Sequence, residues 1–258
     1  MAQKTAKSDN WYEILKVIAW TDFKLRYHGS ILGFLWTLVK PLLIFAVLYI
    51  VFTFLIQFPV EHYQIYLLLA VILWNFFAEA TMMGMASLLT KANLISKVYF
   101  PRILVVIAST ISSLITFLLG FLVFIVFVVL TDISFSWSML FFPIYLTELY
   151  LIILGVSLAL SVLYVRFRDL QHIWEILLQV GFWLTPIFYS VSMIPPEYHR
   201  FIYLSPVTRI IEYSRTIFIH AHIPSLRLNL IVLMMTCVVF VTGYLVFRKY
   251  NRNLIEHL

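Results

Sequence analysis

The chain has 258 residues, of which 63% are hydrophobic and 12% charged, against soluble averages of about 45–50% and about 25%. That balance excludes a soluble globular domain and predicts an all-α integral membrane protein that crosses the bilayer several times. Lys and Arg exceed Asp and Glu by 18 to 12, but the basic residues fall between apolar runs instead of forming one stripe, so they report topology and not a nucleic-acid partner.

Cys237 is the single cysteine and lies inside an apolar run, which excludes an intramolecular disulfide and a cysteine-rich metal site. The first apolar run lacks the short h-region and small-residue cleavage site of a signal peptide. In chain order, Asn10 and Glu13 have capping-box spacing ahead of a helix over 10–26. Glu13, Lys16 and Lys24 share one stripe, and Trp11, Ile14, Leu15 and Ile18 face away from it. With Trp11, Tyr12, Lys16, Trp20 and Arg26 suited to the headgroup region, the segment reads as an interfacial helix, the alternative being a helix packed on a partner.

A first span is expected over 34–58, with Pro41 near its start, where a missing N–H costs least, and Lys40 able to snorkel. Gly29 and Gly33 form a GxxxG just before it, which fits either close helix contact or a turn. The second span, 63–89, carries Glu79, whose carboxylate either faces a cavity or partner helix or lies near enough to the membrane edge to find water. The loop 91–102 is short, basic and closed by Pro101. It reads as a helical turn and a stop. A third span over 103–130 has no charge, a fourth over 139–164 carries Glu148, and a sixth over 228–247 ends at Arg248 and Lys249.

The fifth span, 172–190, departs from this pattern. Its run FWLTPIFYSVSMIPP is interrupted at Pro186 and again at Pro195 and Pro196. Proline lacks the N–H that an interior helical turn needs, so Pro186 predicts a kink or a halt. Non-helical backbone at membrane depth is tolerated only beside protein or a water-filled cavity, which implies a pathway nearby; a simple proline kink is the alternative. The arginine-bearing segment that follows, 195–222, reads as re-entrant or interfacial structure with Pro206 separating two short helices.

Fourteen of the eighteen Lys and Arg fall on one side of this arrangement, in the two termini, the 91–102 loop and the Arg166–Arg168 turn. Both termini are therefore expected in the cytoplasm. No GxxxxGK[ST] motif surrounds any glycine, so energy from a nucleotide must come from another chain. HExxH and GxSxG are absent, and the His220 and His222 pair is a spacing more often incidental than metal-binding. These absences disfavour an enzyme and leave no cofactor expected on this chain.

The segments RYHGSILGFLWTLVKPLL, NLISKVYFPR and LYVRFRDLQHIWEILLQVGFWLTPIFYSVSMIP, followed by LSP, resemble the ABC-2 type permeases that export polysaccharides and lipid-linked glycans, O-antigen and teichoic acid exporters among them. The resemblance covers nearly the whole chain. It implies a homodimer of six-span subunits in the cytoplasmic (inner) membrane of a bacterium, joined to two copies of a separate ATPase that holds ATP and Mg. It also implies an interfacial helix at 10–26 and an external gate at 195–222. A coupling helix would dock on the ATPase through Ala92, Asn93, Leu94, Ile95, Ser96, Lys97 and Tyr99.

Phe, Tyr and Trp total 17% of the chain, more than two interfacial belts require. Sugar rings stack on aromatic faces, so an aromatic-lined glycan path fits, although most of these rings must face lipid or pack between helices. Trp183 and Tyr189 in the fifth span and Phe142 and Tyr145 in the fourth are the candidates for that path, with Pro186, Pro195 and Pro196 shaping the gate. A permease for teichoic acid or for a small hydrophobic compound is the alternative within the exporters. A membrane-bound transferase is the alternative of another class.

Overall fold

A computed structural model describes residues 11–26, 33–55, 60–98, 100–131 and 133–251. Among them every regular element is helical: α1 (Trp11–Arg26), α2 (Trp36–Ile50), α3 (Tyr63–Thr90), α4 (Ala92–Lys97), α5 (Ile103–Leu130), α6 (Phe142–Arg166), α7 (Leu170–Leu184), α8 (Pro196–Ile202), α9 (Pro206–Ile219) and α10 (Leu226–Tyr250). Asn10, Gly29, Tyr99 and Asp132 lie outside the described residues.

Among the described residues, four helical stretches are long and apolar enough to cross a membrane: Tyr63–Thr90, Ile103–Leu130, Trp137–Arg166 and Leu226–Tyr250. A shorter apolar stretch, Leu38–Phe54, runs through α2 into a π-helical turn at Val51–Leu55. The expected fifth span is shorter as a helix than its apolar run: α7 has 15 residues, about 22 Å at the usual rise, against a hydrocarbon core of about 30 Å. Its remaining length is irregular backbone, because Pro186 cannot extend the hydrogen-bond ladder.

Helix α3 is the axis of the bundle. Apart from Gln64, Asn75 and Glu79 it carries no charged or amide side chain, and Leu67, Leu68, Leu69, Val71 and Leu73 are wholly buried by α2, α5, α6, α7 and α9. Helices α6 and α10 approach most closely at Gly155 and Gly243, where a Cβ on Gly243 would lie 1.9 Å from the Gly155 carbonyl oxygen. Small residues of this kind let helix backbones meet without a hydrophobic driving force between them.

The long helices alternate in direction, so α4 lies at one end of the bundle and α8 and α9 at the other. At the α4 end Arg102 Nη1 donates to the Asn251 carbonyl at 2.6 Å, tying the start of α5 to the end of α10. At the opposite end Ser138 Oγ donates to the Ile217 carbonyl at 2.8 Å, tying the start of the Trp137–Arg166 stretch to α9. Helix α1 packs on α5 through Ile18, Ala19 and Ala108, all buried, and leaves Tyr12, Val17, Trp20 and Leu25 exposed.

Candidate functional site

The interruption of α7 exposes a run of backbone carbonyls, and each must find a donor or carry a cost of about 1–3 kcal/mol if buried. Each acceptor from Trp183 to Ser190 has one. Tyr189 Oη donates back to the carbonyls of Leu184 at 2.8 Å and Trp183 at 3.3 Å, and the Ile187 N–H turns tightly onto the Thr185 carbonyl at 2.6 Å. Arg215 reaches in from α9, its Nη1 donating to the Pro186 carbonyl and its Nη2 to the Ile187 carbonyl, both at 2.6 Å. Two tyrosines of α3 complete the set: Tyr63 Oη donates to the Phe188 carbonyl at 2.8 Å and Tyr66 Oη to the Tyr189 carbonyl at 2.9 Å. The Ser190 carbonyl takes the Met193 N–H.

Arg215 is 2% exposed, a buried charge that is stable only because it is surrounded by acceptors. Beyond the two turn carbonyls, its Nε donates to the Tyr66 carbonyl at 3.1 Å and its Nη1 pairs with Glu212 Oε1 at 2.5 Å. The guanidinium carbon sits 3.3 Å from the centre of the Tyr66 ring, in cation–π contact. Four of the five N–H donors of the planar fork are thus engaged. The local sequence explains how α9 delivers it: Ser205 caps the helix by accepting from the Thr208 N–H, Pro206 occupies the first turn, and Ile211 and Phe218 place Arg215 on the buried stripe at helical spacing.

Trp183 and Leu184 project outward on the opposite side of the turn, 55% and 68% exposed, while Pro186 and Ile187 are buried against α9. Phe188 is the hub of a ring cluster with Phe52 at 4.9 Å, Tyr189 at 5.0 Å and Trp183 at 5.2 Å between centroids. Phe142 and Tyr145 are buried within the subunit, Phe142 against Phe121 and Phe218, and Tyr145 donating to Asn229 Oδ1 at 2.9 Å. Pro195 and Pro196 are exposed at the start of α8, which has no buried residue, whereas α9 is packed into the core along Val207, Ile210, Ile211, Ser214, Ile217 and Phe218.

At the other end of the bundle α4 has no buried residue. Asn93, Leu94, Ser96 and Lys97 are exposed, and Ala92 and Ile95 are half-buried. Lys91, which precedes α4, pairs with Asp22 of α1, and both groups hydrogen-bond the Ser109 hydroxyl of α5 at 3.1 Å. A groove of about 510 Å³ runs between α1 and α4, lined by Val17, Leu25, Leu94 and Val98 beside that ion pair. On α1, Trp11, Tyr12, Lys16 and Trp20 are all exposed, Lys24 lies 5.4 Å from the Trp20 ring, and Arg26 ends the helix. Glu79 faces a cleft of about 530 Å³ between α2, α3 and α5, together with Lys40, Asn75, Ser113 and Thr116.

Sequence reasoning places Arg215 only within the arginine-bearing segment read as re-entrant or interfacial, and does not single out Tyr63, Tyr66, Glu212 or Phe188. The signal that could have found Arg215 is its register: a cation four residues after Ile211 and three before Phe218 lies on the apolar face of its helix, where it needs buried acceptors.

Residues 13–219 match the ABC-2 type transporter family, and the chain belongs to that family. Two similar proteins are O-antigen export system permease proteins, both named RfbA. One, from Klebsiella pneumoniae, is 28% identical over 81% of each chain. The other, from Myxococcus xanthus, is 27% identical over 79% of each chain. The chain is thus a membrane transport protein with several apolar helices.

Proposed function

We propose that this chain is the membrane-spanning permease subunit of an ATP-driven exporter that carries a polysaccharide or lipid-linked glycan of the O-antigen kind across the cytoplasmic membrane. The observation that carries this reading is the similarity over 81% of the chain to permeases named for O-antigen export. Six crossings are assigned to α2, α3, α5, α6, α7 with the turn after it, and α10. Both termini face the cytoplasm, the side on which most Lys and Arg fall.

Helix α1 lies along the membrane surface through Trp11, Tyr12, Lys16, Trp20 and Arg26. Helix α4, with Ala92, Asn93, Leu94, Ile95, Ser96 and Lys97 and with Tyr99 beyond it, docks on a separate ATPase subunit that binds ATP and Mg, since this chain has no phosphate-binding loop. The subunit works as a homodimer with two ATPase copies. Supporting this, α7 has no buried residue and leaves Ile173, Ile176, Leu177 and Val180 exposed, an apolar face suited to a second copy or to the path between copies.

Trp183 and Tyr189 contact the glycan, the turn at Pro186 and the helices after Pro195 and Pro196 form the external gate, and Phe142 and Tyr145 back that wall by packing. Deleting the chain from its host tests the assignment. The expected outcome is loss of surface glycan with lipid-linked precursor accumulating inside. Undiminished surface glycan contradicts it.

A further inference from the structure

We propose that Arg215 is a positioning residue for export: it locks the interrupted end of α7 to α9 and α3, and so keeps the outward end of the transporter sealed between transport cycles. The proposal rests on the permease reading above and adds to it a specific latch.

The geometry is that of a joint and not of a simple salt bridge. One guanidinium binds acceptors on three separate elements: the Tyr66 carbonyl in α3, the Pro186 and Ile187 carbonyls in the turn, and Glu212 in α9 itself. Tyr63 and Tyr66 fasten the next two carbonyls of the same turn from α3. Moving α9 away from the turn therefore breaks several charge-assisted bonds together, leaving the Arg215 cation without those acceptors and the Pro186 and Ile187 carbonyls without donors. Because these bonds share one guanidinium, they are expected to be made or lost together. The turn it holds carries Trp183 and Leu184 on its exposed side, so releasing the joint frees the segment that lines the path.

The planar fork matters as well as the charge. A lysine at the same position offers one ammonium, which cannot meet the Pro186, Ile187 and Tyr66 carbonyls with parallel donors. Glu212 contributes only one contact and its side chain is 19% exposed.

The test is passive leak of a small anionic dye from liposomes containing the permease assembled with its ATPase, with neither ATP nor glycan present. Arg215→Gln is expected to raise leak per transporter at least about tenfold, the population shift that follows from losing even one hydrogen bond to a charged group. Arg215→Lys should lie in between. If Arg215→Gln does not assemble, the double variant Tyr63→Phe, Tyr66→Phe takes its place, because it frees the Phe188 and Tyr189 carbonyls while keeping both rings, and it too should leak. Assembled Arg215→Lys and Arg215→Gln complexes, or the tyrosine double variant, as tight as the parent would overturn the proposal. Leak is read without substrate, so a leaky variant of a protein that exports no glycan upholds the latch and rejects the glycan-export assignment instead.

Discussion

Lys91 Nζ lies 2.5 Å from Asp22 Oδ2, joining helix α1 to the junction of α3 and α4. Both side chains are largely shielded, at 17% and 11% exposure, and Ser109 holds the pair from α5. The start of α4 is thus tied to α1 by a polar contact. Asp22→Ala is expected to cost about 1–3 kcal/mol, the penalty for leaving the Lys91 cation without its carboxylate. Asp22→Ala with Lys91→Met should recover part of that loss, giving a coupling of about 0.5–3 kcal/mol in a double-mutant cycle read from thermal unfolding in detergent. Strict additivity of the two changes would show that the pair does not stabilise the fold.

The Gly155 and Gly243 contact predicts a steep response to a single methyl group. Gly243→Ala places its Cβ against the Gly155 carbonyl, so α6 and α10 must separate. The expected cost is about 1–3 kcal/mol, as for overpacked cores. Gly120→Ala is the control, since its Cβ would meet only the Ile72 side chain at 4.0 Å, and it should leave the melting temperature unchanged or raise it slightly. Equal melting temperatures for the two variants would contradict the close approach of α6 and α10.

Orientation can be read by thiol labelling in a Cys237→Ser background. Phe135 is 72% exposed between α5 and α6, and Ser96 is exposed on α4 at the opposite end. Phe135→Cys should react with an impermeant reagent added outside intact cells, and Ser96→Cys only after lysis. The reverse pattern would place the termini outside.

Trp183 separates an aromatic contact from simple apolar volume. Replacement by Phe should preserve most glycan export, whereas Leu and Ala should lower it about two- to tenfold, the effect of losing a stacking contact of about 0.5–1.5 kcal/mol. Tyr189 obeys a different rule because its hydroxyl caps the Trp183 and Leu184 carbonyls. Tyr189→Phe should therefore lower stability even where export per folded transporter persists. Surface glycan at matched permease levels gives the comparison. Leu at position 183 performing as well as Phe would remove the stacking role.

The long helices are legible because unbroken apolar runs bounded by charges leave no other structure in a bilayer. Pro186 likewise announces an interruption, because the lost N–H is a local property of the residue. What the interruption requires is not local. The donors that satisfy it come from Tyr63 and Tyr66, more than a hundred positions earlier, and from Arg215, nearly thirty later. Counted by charge alone, Arg209 and Arg215 look like exceptions on the side poor in basic residues. In the fold they are carbonyl donors, Arg209 to Tyr203 at 2.6 Å and Arg215 to the broken turn. Phe142 and Tyr145 illustrate a second limit: an apolar helix does not reveal from its own sequence which aromatic faces inward, and both are buried here.

The most direct measurement of the central claim is glycan movement in proteoliposomes holding this chain and its ATPase partner, loaded with a lipid-linked O-antigen polymer on the ATPase side. Polymer should become accessible on the far side only with ATP and Mg, at a rate abolished when the partner is omitted or its phosphate-binding lysine is replaced. Polymer that crosses equally well without ATP, or ATP hydrolysed by this chain alone, would contradict the account.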